Sequence, residues 1–226
     1  MTKWSNPSWM CRPMIEPEDI STLSHETRFP VALPTAVRWS HALLAPRLHA
    51  GDVVIDATAG NGHDTLFLAR HVLPGGKVFA FDLQAAALEK TRTRTEGCEG
   101  VVLIHAGHER MEEFLPRELH GGIRAFMFNL GWLPGSDKAC TTRADTTLEA
   151  LNKAVQWLAE GGMITVVCYP GHEDGNTEAD AVEAWAALLP ADSFEAQKIA
   201  FLNLDGAPPR CVVLRKRARL TARTFG

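Results

Sequence analysis

Short unbroken apolar runs alternate along this chain with longer stretches whose apolar positions recur at helical spacing. From Thr35 the residues Val37, His41, Leu44 and Leu48 mark a first helix, with Thr35 placed to cap it. Gly51 and Asp52 turn the chain into Val53–Ile55, an apolar run that predicts a strand buried on both faces. A glycine-bearing turn follows, then a helix over Asp64–His71 with Leu66, Phe67 and Leu68, ended by Pro74-Gly75-Gly76. Beyond it the pattern predicts strands over Lys77–Phe81, Val101–His105 and Ile123–Phe128, with helices over Ala85–Thr95 and Arg110–Leu119 between them. A long helix over Thr146–Ala159 carries the stripe Leu148, Leu151, Val155 and Leu158, and Gly161-Gly162 is expected to close it. A strand over Met163–Cys168, a helix over Ala179–Leu189 and strands near Phe194–Asn203 and Arg210–Arg215 complete the series.

Alternation at these lengths predicts an α/β fold, a mostly parallel sheet with helices on both faces. One domain over residues 35–217 accounts for it. Before that domain, residues 1–34 are rich in proline, hold Trp4 and Trp9 and keep no period, which predicts an irregular arm. Residues 218–226 read as a basic tail.

Composition narrows the class. The 226 residues are 46% hydrophobic with a net charge of -4, which fits a packed core and does not fit a protein that coats nucleic acid over its whole surface. The five cysteines, Cys11, Cys98, Cys140, Cys168 and Cys211, are scattered and read as reduced thiols rather than a disulfide framework or zinc site. No apolar run reaches the ~18–20 residues that a bilayer requires, and the N-terminus has no signal-like pattern. The expectation is a cytoplasmic protein with no membrane association.

Candidate chemistry begins at the first turn, Asp56-Ala57-Thr58-Ala59-Gly60-Asn61-Gly62. A strand, a glycine turn and a helix start make a nucleotide-type site, because glycines admit close approach and the helix end offers unpaired N–H groups. Dinucleotide binders need G-x-G-x-x-G to clear a pyrophosphate; the run Thr58 to His63 lacks the first and last of those glycines. An acidic residue at the strand end with Gly60 and Gly62 after it suits S-adenosylmethionine instead. Asp82, ending the second strand, is placed to accept from ribose hydroxyls, and Gln84 to reach an adenine edge. A plainer reading of Asp82 is a cap for the next helix.

Four motifs in order give a more specific resemblance. Asp56 to Thr65 with Phe67-Leu68-Ala69, Asn129 to Lys138, Tyr169-Pro170-Gly171-His172, and Asn203 with Pro208-Pro209 resemble the small bacterial proteins labelled putative rRNA methylases. Members of that family are associated with tRNA wobble-uridine modification (the MnmM, or YtqB, type), and the match spans residues 35–217. The resemblance implies a Rossmann-like class I methyltransferase fold of seven strands, the last antiparallel. It also implies methyl transfer from S-adenosylmethionine to the primary amine of 5-aminomethyl-2-thiouridine in the tRNA anticodon. Carried over by position, cofactor contacts fall at Asn61, His63, Asp82, Gln84, Gly107 and His108, beside Asp56, Gly60 and Gly62 of the turn. Two departures stand out: Trp132 replaces the family's usual tyrosine, and the arm is longer than the family core needs. A homodimer is compatible with this reading.

The remaining motifs suit an amine acceptor. Asn129 ends the fourth strand, on the lip that faces ligands in open α/β sheets, and its oxygen can accept from an amine. Trp132 offers a face for base stacking or a packed crevice wall. Asp137 is favoured as the charged partner of the amine, with His172 an alternative proton relay near Tyr169; a solvated turn pair and a loop cap are the plain alternatives. His63 and His108 lack further ligands at fixed spacing, so no metal is expected. Arg215, Lys216, Arg217, Arg219 and Arg223 form a basic cluster that either stays solvated or meets phosphates. Rival functions are a methyltransferase for another RNA base (rRNA) or for a small amine metabolite, and a binding module without activity.

Overall fold

The computed structural model describes residues 33–131, 142–171 and 173–218. The chain divides into two units, Met1–Leu33 and Pro34–Gly226. Of the expected arm only the last two residues are described, and of the expected tail only Ala218.

The second unit alternates as its sequence pattern requires. Helix α1 (Ala36–Leu44) starts at Thr35, whose hydroxyl accepts the Arg38 N–H at 3.3 Å. Strand β1 (Val53–Asp56), helix α2 (His63–Val72), strand β2 (Lys77–Asp82), helix α3 (Ala85–Arg94) and strand β3 (Val101–His105) follow. Next come strand β4 (Ile123–Asn129), helix α4 (Ala144–Trp157), strand β5 (Leu158–Cys168), helix α5 (Glu173–Ala187) and strands β6 (Phe194–Ile199) and β7 (Arg210–Lys216). The seven strands lie in the order β3-β2-β1-β4-β5-β7-β6, with β7 antiparallel to both its neighbours.

Register explains the apolar runs. Val54 lies beside Val78 and Ala125, on the face covered by Leu44 of α1 and Leu68, Ala69 and Val72 of α2. Ile55 lies beside Phe79 and Phe126, on the opposite face, under Ala150, Leu151 and Ala154 of α4 and Val182 of α5. A strand covered twice has no polar positions to alternate with. Phe81, Phe126 and Phe128 are among the largest fully buried side chains, each stabilising by roughly 1.5–3 kcal/mol relative to exposure.

The pattern misleads in five places. The helix expected over Arg110–Leu119 is instead two short 3-10 turns, His108–Glu113 and Arg117–Leu119, because Pro116 removes the N–H a continuous helix needs. Helix α4 stops at Trp157 and buries Thr147, Ala150, Leu151, Ala154 and Trp157, a stripe rotated from the expected one. Gly161 and Gly162 lie inside β5, beside the register shift between Ile123 and Ala125, rather than at a helix end; a Cβ on Gly162 would stand 3.0 Å from the Arg124 carbonyl oxygen. Strand β6 ends at Ile199, short of Asn203, and α5 begins six residues before the expected Ala179, at Glu173.

The topology fixes where a ligand can sit. From β1 the chain winds outward through β2 to β3, then returns to place β4 on the other side of β1. The crevice opens at the carboxyl ends of β1 and β4, where the winding direction reverses.

Candidate functional site

Asp56 ends β1 fully buried, accepting the Thr58 N–H at 3.1 Å and the Thr65 hydroxyl at 2.6 Å. Those bonds wrap the turn around the strand end. Burial, reinforced by the charges of Asp64 and Asp82, pushes its carboxyl up to about 7. Gly60 and Gly62 take positive φ angles of 53° and 78°, and a Cβ on Gly62 would lie 2.7 Å from the Thr91 Cα of α3. The second glycine is therefore required twice, by the left-handed backbone that starts α2 and by the approach of α3.

Asp82 meets the turn from β2. Its Oδ2 accepts the Gly60 N–H at 2.8 Å and its Oδ1 the Gln84 N–H at 2.8 Å. Thr58 completes the frame, its hydroxyl oxygen accepting the Asn129 N–H at 2.7 Å. A cavity of about 670 Å³ opens over these groups. Its walls include Gly60, Asn61, His63, Asp82, Gln84, Gly107, His108 and Asn129, all expected from the sequence. Asp56 and Gly62 are not among the lining residues: they shape the turn from behind.

His108 closes the floor of the cavity. Its Nδ1 lies 3.2 Å from the Ala57 carbonyl oxygen, which assigns the proton to Nδ1, while the buried Nε2 has no partner among the described residues. Burial holds the ring below the ordinary histidine range, so it stays neutral and presents a lone pair. A hydrogen-bond donor such as an exocyclic amine on a purine would satisfy that atom. Together with the Asp82 carboxylate and the close backbone approach allowed at Gly60, the residues present fit a nucleoside-bearing cofactor such as S-adenosylmethionine.

The other end of the cavity is polar. Asn129 donates from Nδ2 to Asp64 Oδ2 at 3.2 Å, and Asp64 Oδ1 lies 2.7 Å from His41 Nε2. Tyr169, following β5, lines the cavity with Asn129; burial and the Asp64 charge raise its hydroxyl above the ordinary tyrosine range. Asp64 and His41 were not expected here. Their signals were available: Asp64 follows the glycine turn directly, and His41 interrupts the apolar stripe of α1.

Trp132, Asp137 and His172 lie outside the described residues. Of the described residues that flank the first two, Gly131 donates its N–H to the Thr142 hydroxyl at 2.8 Å, and that hydroxyl donates to buried Glu178 at 2.8 Å. Of the basic cluster, Arg215 and Arg217 pair with Glu195 at 3.3 and 3.1 Å, and Lys216 Nζ donates to the Leu158 carbonyl at 2.7 Å. These three are engaged in the fold, which corrects the picture of a uniformly free cationic patch. Among the described residues no group of three or more His, Cys, Asp or Glu could hold a metal ion, and no helix is long and apolar enough to cross a membrane.

Comparison with known proteins matches residues 78–215 to the family described as Putative rRNA methylase. The chain is 36% identical over 211 residues to the "tRNA (mnm(5)s(2)U34)-methyltransferase, chloroplastic" of Arabidopsis thaliana, covering 83% of this chain and 76% of that protein. Among solved structures it is similar to a putative rRNA-methylase from Clostridium thermocellum, at 36% identity and a TM-score of 0.78 over 82% of this chain and 100% of that one. A putative methyltransferase from Streptococcus mutans in complex with SAH matches at 34% identity and a TM-score of 0.74, over 82% of this chain and 99% of that one.

Proposed function

The chain belongs to the Putative rRNA methylase family and is an S-adenosylmethionine-dependent methyltransferase, and from that premise we propose that its acceptor is the primary amine of 5-aminomethyl-2-thiouridine at the tRNA wobble position. The observation that carries the reading is the polar end of the cavity, where Asn129 stands at the lip with its amide N–H group turned to Asp64. That leaves an amide oxygen to receive an amine. The tRNA methyltransferase from Arabidopsis thaliana supports the choice of acceptor.

When bound, S-adenosylmethionine supplies an electrophilic methyl carbon. The chain's own residues bind and align. Asp82, with Gly60 and Gln84 on its two oxygens, forms the carboxylate edge for a ribose, and His108 Nε2 the acceptor for a base amine. Asn129 orients the acceptor nitrogen, whose lone pair must point along the line of displacement. Because an alkylamine is largely protonated at neutral pH, the site must also let a proton leave; Asp137 and His172 remain the proposed groups for that step, and Trp132 the stacking surface for the base.

The test supplies labelled S-adenosylmethionine with three acceptors: tRNA bearing the aminomethyl nucleoside, ribosomal RNA, and small primary amines. Label recovered in the wobble nucleoside is expected. Label confined to ribosomal RNA or to a small amine would replace the proposed substrate, and a thermal shift with NAD but not with S-adenosylmethionine would contradict the cofactor site.

A further inference from the structure

We propose that Asp64, braced by His41, is a positioning residue that turns the Asn129 amide so that its oxygen faces the methyl acceptor. The inference rests on the amine acceptor proposed above and concerns two residues that the motif-by-motif reading leaves without a role.

The geometry is specific. Asp64 lies in the first turn of α2 with its side chain 7% exposed, yet both oxygens are engaged. Oδ1 lies 2.7 Å from His41 Nε2 and Oδ2 accepts from Asn129 Nδ2 at 3.2 Å. A carboxylate held at both oxygens cannot rotate without breaking one bond, so the Asn129 amide is locked to α1 through it. His41 is fixed in turn: its ring stacks on Phe67 at 4.0 Å between centroids and 1° between planes, and Phe67 also meets the His71 ring at 4.5 Å, tilted by 50°.

The bond to Asp64 sets the direction of the amide. Asn129 Nδ2 donates to Asp64 Oδ2, which holds the nitrogen toward α2. With the nitrogen held there, Oδ1 is the atom of the amide left to accept from the incoming amine. An amide at position 64 offers one acceptor oxygen in place of two, so it can still hold the Asn129 amide but gives up the brace from His41. The groups around it are His41, Asn129 and Tyr169, with the buried Asp56 carboxyl feeling its charge. Asp64 is buried and His41 half-buried, so the bond between them is less exposed to competing water than a surface pair.

The test compares Asp64→Ala, Asp64→Asn and His41→Phe with the wild type in the labelled-transfer assay, alongside S-adenosylmethionine affinity by calorimetry and thermal unfolding. Asp64→Ala is expected to lower kcat roughly 10- to 100-fold, as misaligned reacting groups do, with cofactor affinity within about twofold of wild type. Asp64→Asn keeps one acceptor for the Asn129 amide and is expected to recover most of that loss. His41→Phe keeps the ring on Phe67, removes the brace and should fall between. Should Asp64→Ala fail to fold, the other two variants decide. The inference is overturned if Asp64→Ala retains kcat within about twofold of wild type, if Asp64→Asn is as slow as Asp64→Ala, or if cofactor affinity falls in step with kcat. A wild-type protein that leaves the tRNA amine unlabelled overturns the functional reading and this inference with it; an active wild type with undisturbed variants overturns the inference alone.

Discussion

Asp82 Oδ2 accepts the Gly60 N–H at 2.8 Å, so one carboxylate at the end of β2 both holds the glycine turn after β1 and edges the cofactor cavity. The two roles make one prediction. Asp82→Ala removes a charge-assisted bond to the turn together with the acceptor for a ribose, and should weaken S-adenosylmethionine binding by roughly tenfold or more. Calorimetric titration checks it; affinity within about twofold of wild type would show that the carboxylate serves the turn alone.

Gly62 is the tightest point in the turn. Alanine there adds a Cβ 2.7 Å from the Thr91 Cα and forces a side chain onto a φ of 78°. The neighbour is backbone and cannot swing away, so α2 and α3 must separate. Gly62→Ala should cost on the order of 1–3 kcal/mol in stability, read as a lowered denaturant midpoint, with cofactor binding impaired as well.

The strands β1, β2 and β4, and hence the place of the crevice, were legible because a parallel strand buried twice leaves an unbroken apolar run. Asp82 and Asn129 were legible for the same reason: each is the first polar residue after such a run. The 3-10 turns near Met111 were not, since an apolar residue every third or fourth position fits either helix type until Pro116 is weighed. Asp64 and His41 escaped for a different reason. Their pairing joins positions on separate elements, and nothing in the local sequence of α1 says what its polar residue will face.

Glu178 ties two elements beside the cavity. Buried in α5, it accepts from the Thr142 and Thr147 hydroxyls at 2.8 and 2.7 Å. Glu178→Ala leaves both hydroxyls short of an acceptor and should destabilise the protein by roughly 2–4 kcal/mol in denaturant unfolding. Because Thr142 also accepts from Gly131, the KM for the proposed tRNA acceptor should rise in the same variant while S-adenosylmethionine affinity changes little.

Cys168 and Cys211, on the adjacent strands β5 and β7, are buried, and burial pushes both thiols up, that of Cys211 to about 12. The thiolate is the reactive form, so neither should be alkylated by iodoacetamide in the native protein near neutral pH. Mass spectrometry should find both unmodified until denaturant is added. Rapid native labelling of either would mean that β7 opens from the sheet.

Asp56 sets an unusual pH dependence. Its carboxyl is raised from 3.8 to about 7, first by burial and then by the Asp64 charge, with the bonds from Thr65 and Thr58 working against the rise. The folded state therefore binds the proton more tightly than the unfolded chain. Between these two values the native protein carries the extra proton, so unfolding free energy falls as pH rises through the window and the contribution is spent above about 7. Asp56→Asn stays neutral throughout while its amide oxygen can still accept from Thr58. Its stability should fall less than that of the wild type between about pH 5 and about pH 8, and the difference between the two slopes isolates this one group from every other titration. Equal slopes in the two proteins, measured by urea unfolding at each pH, would show that Asp56 is ionised in the fold across that range.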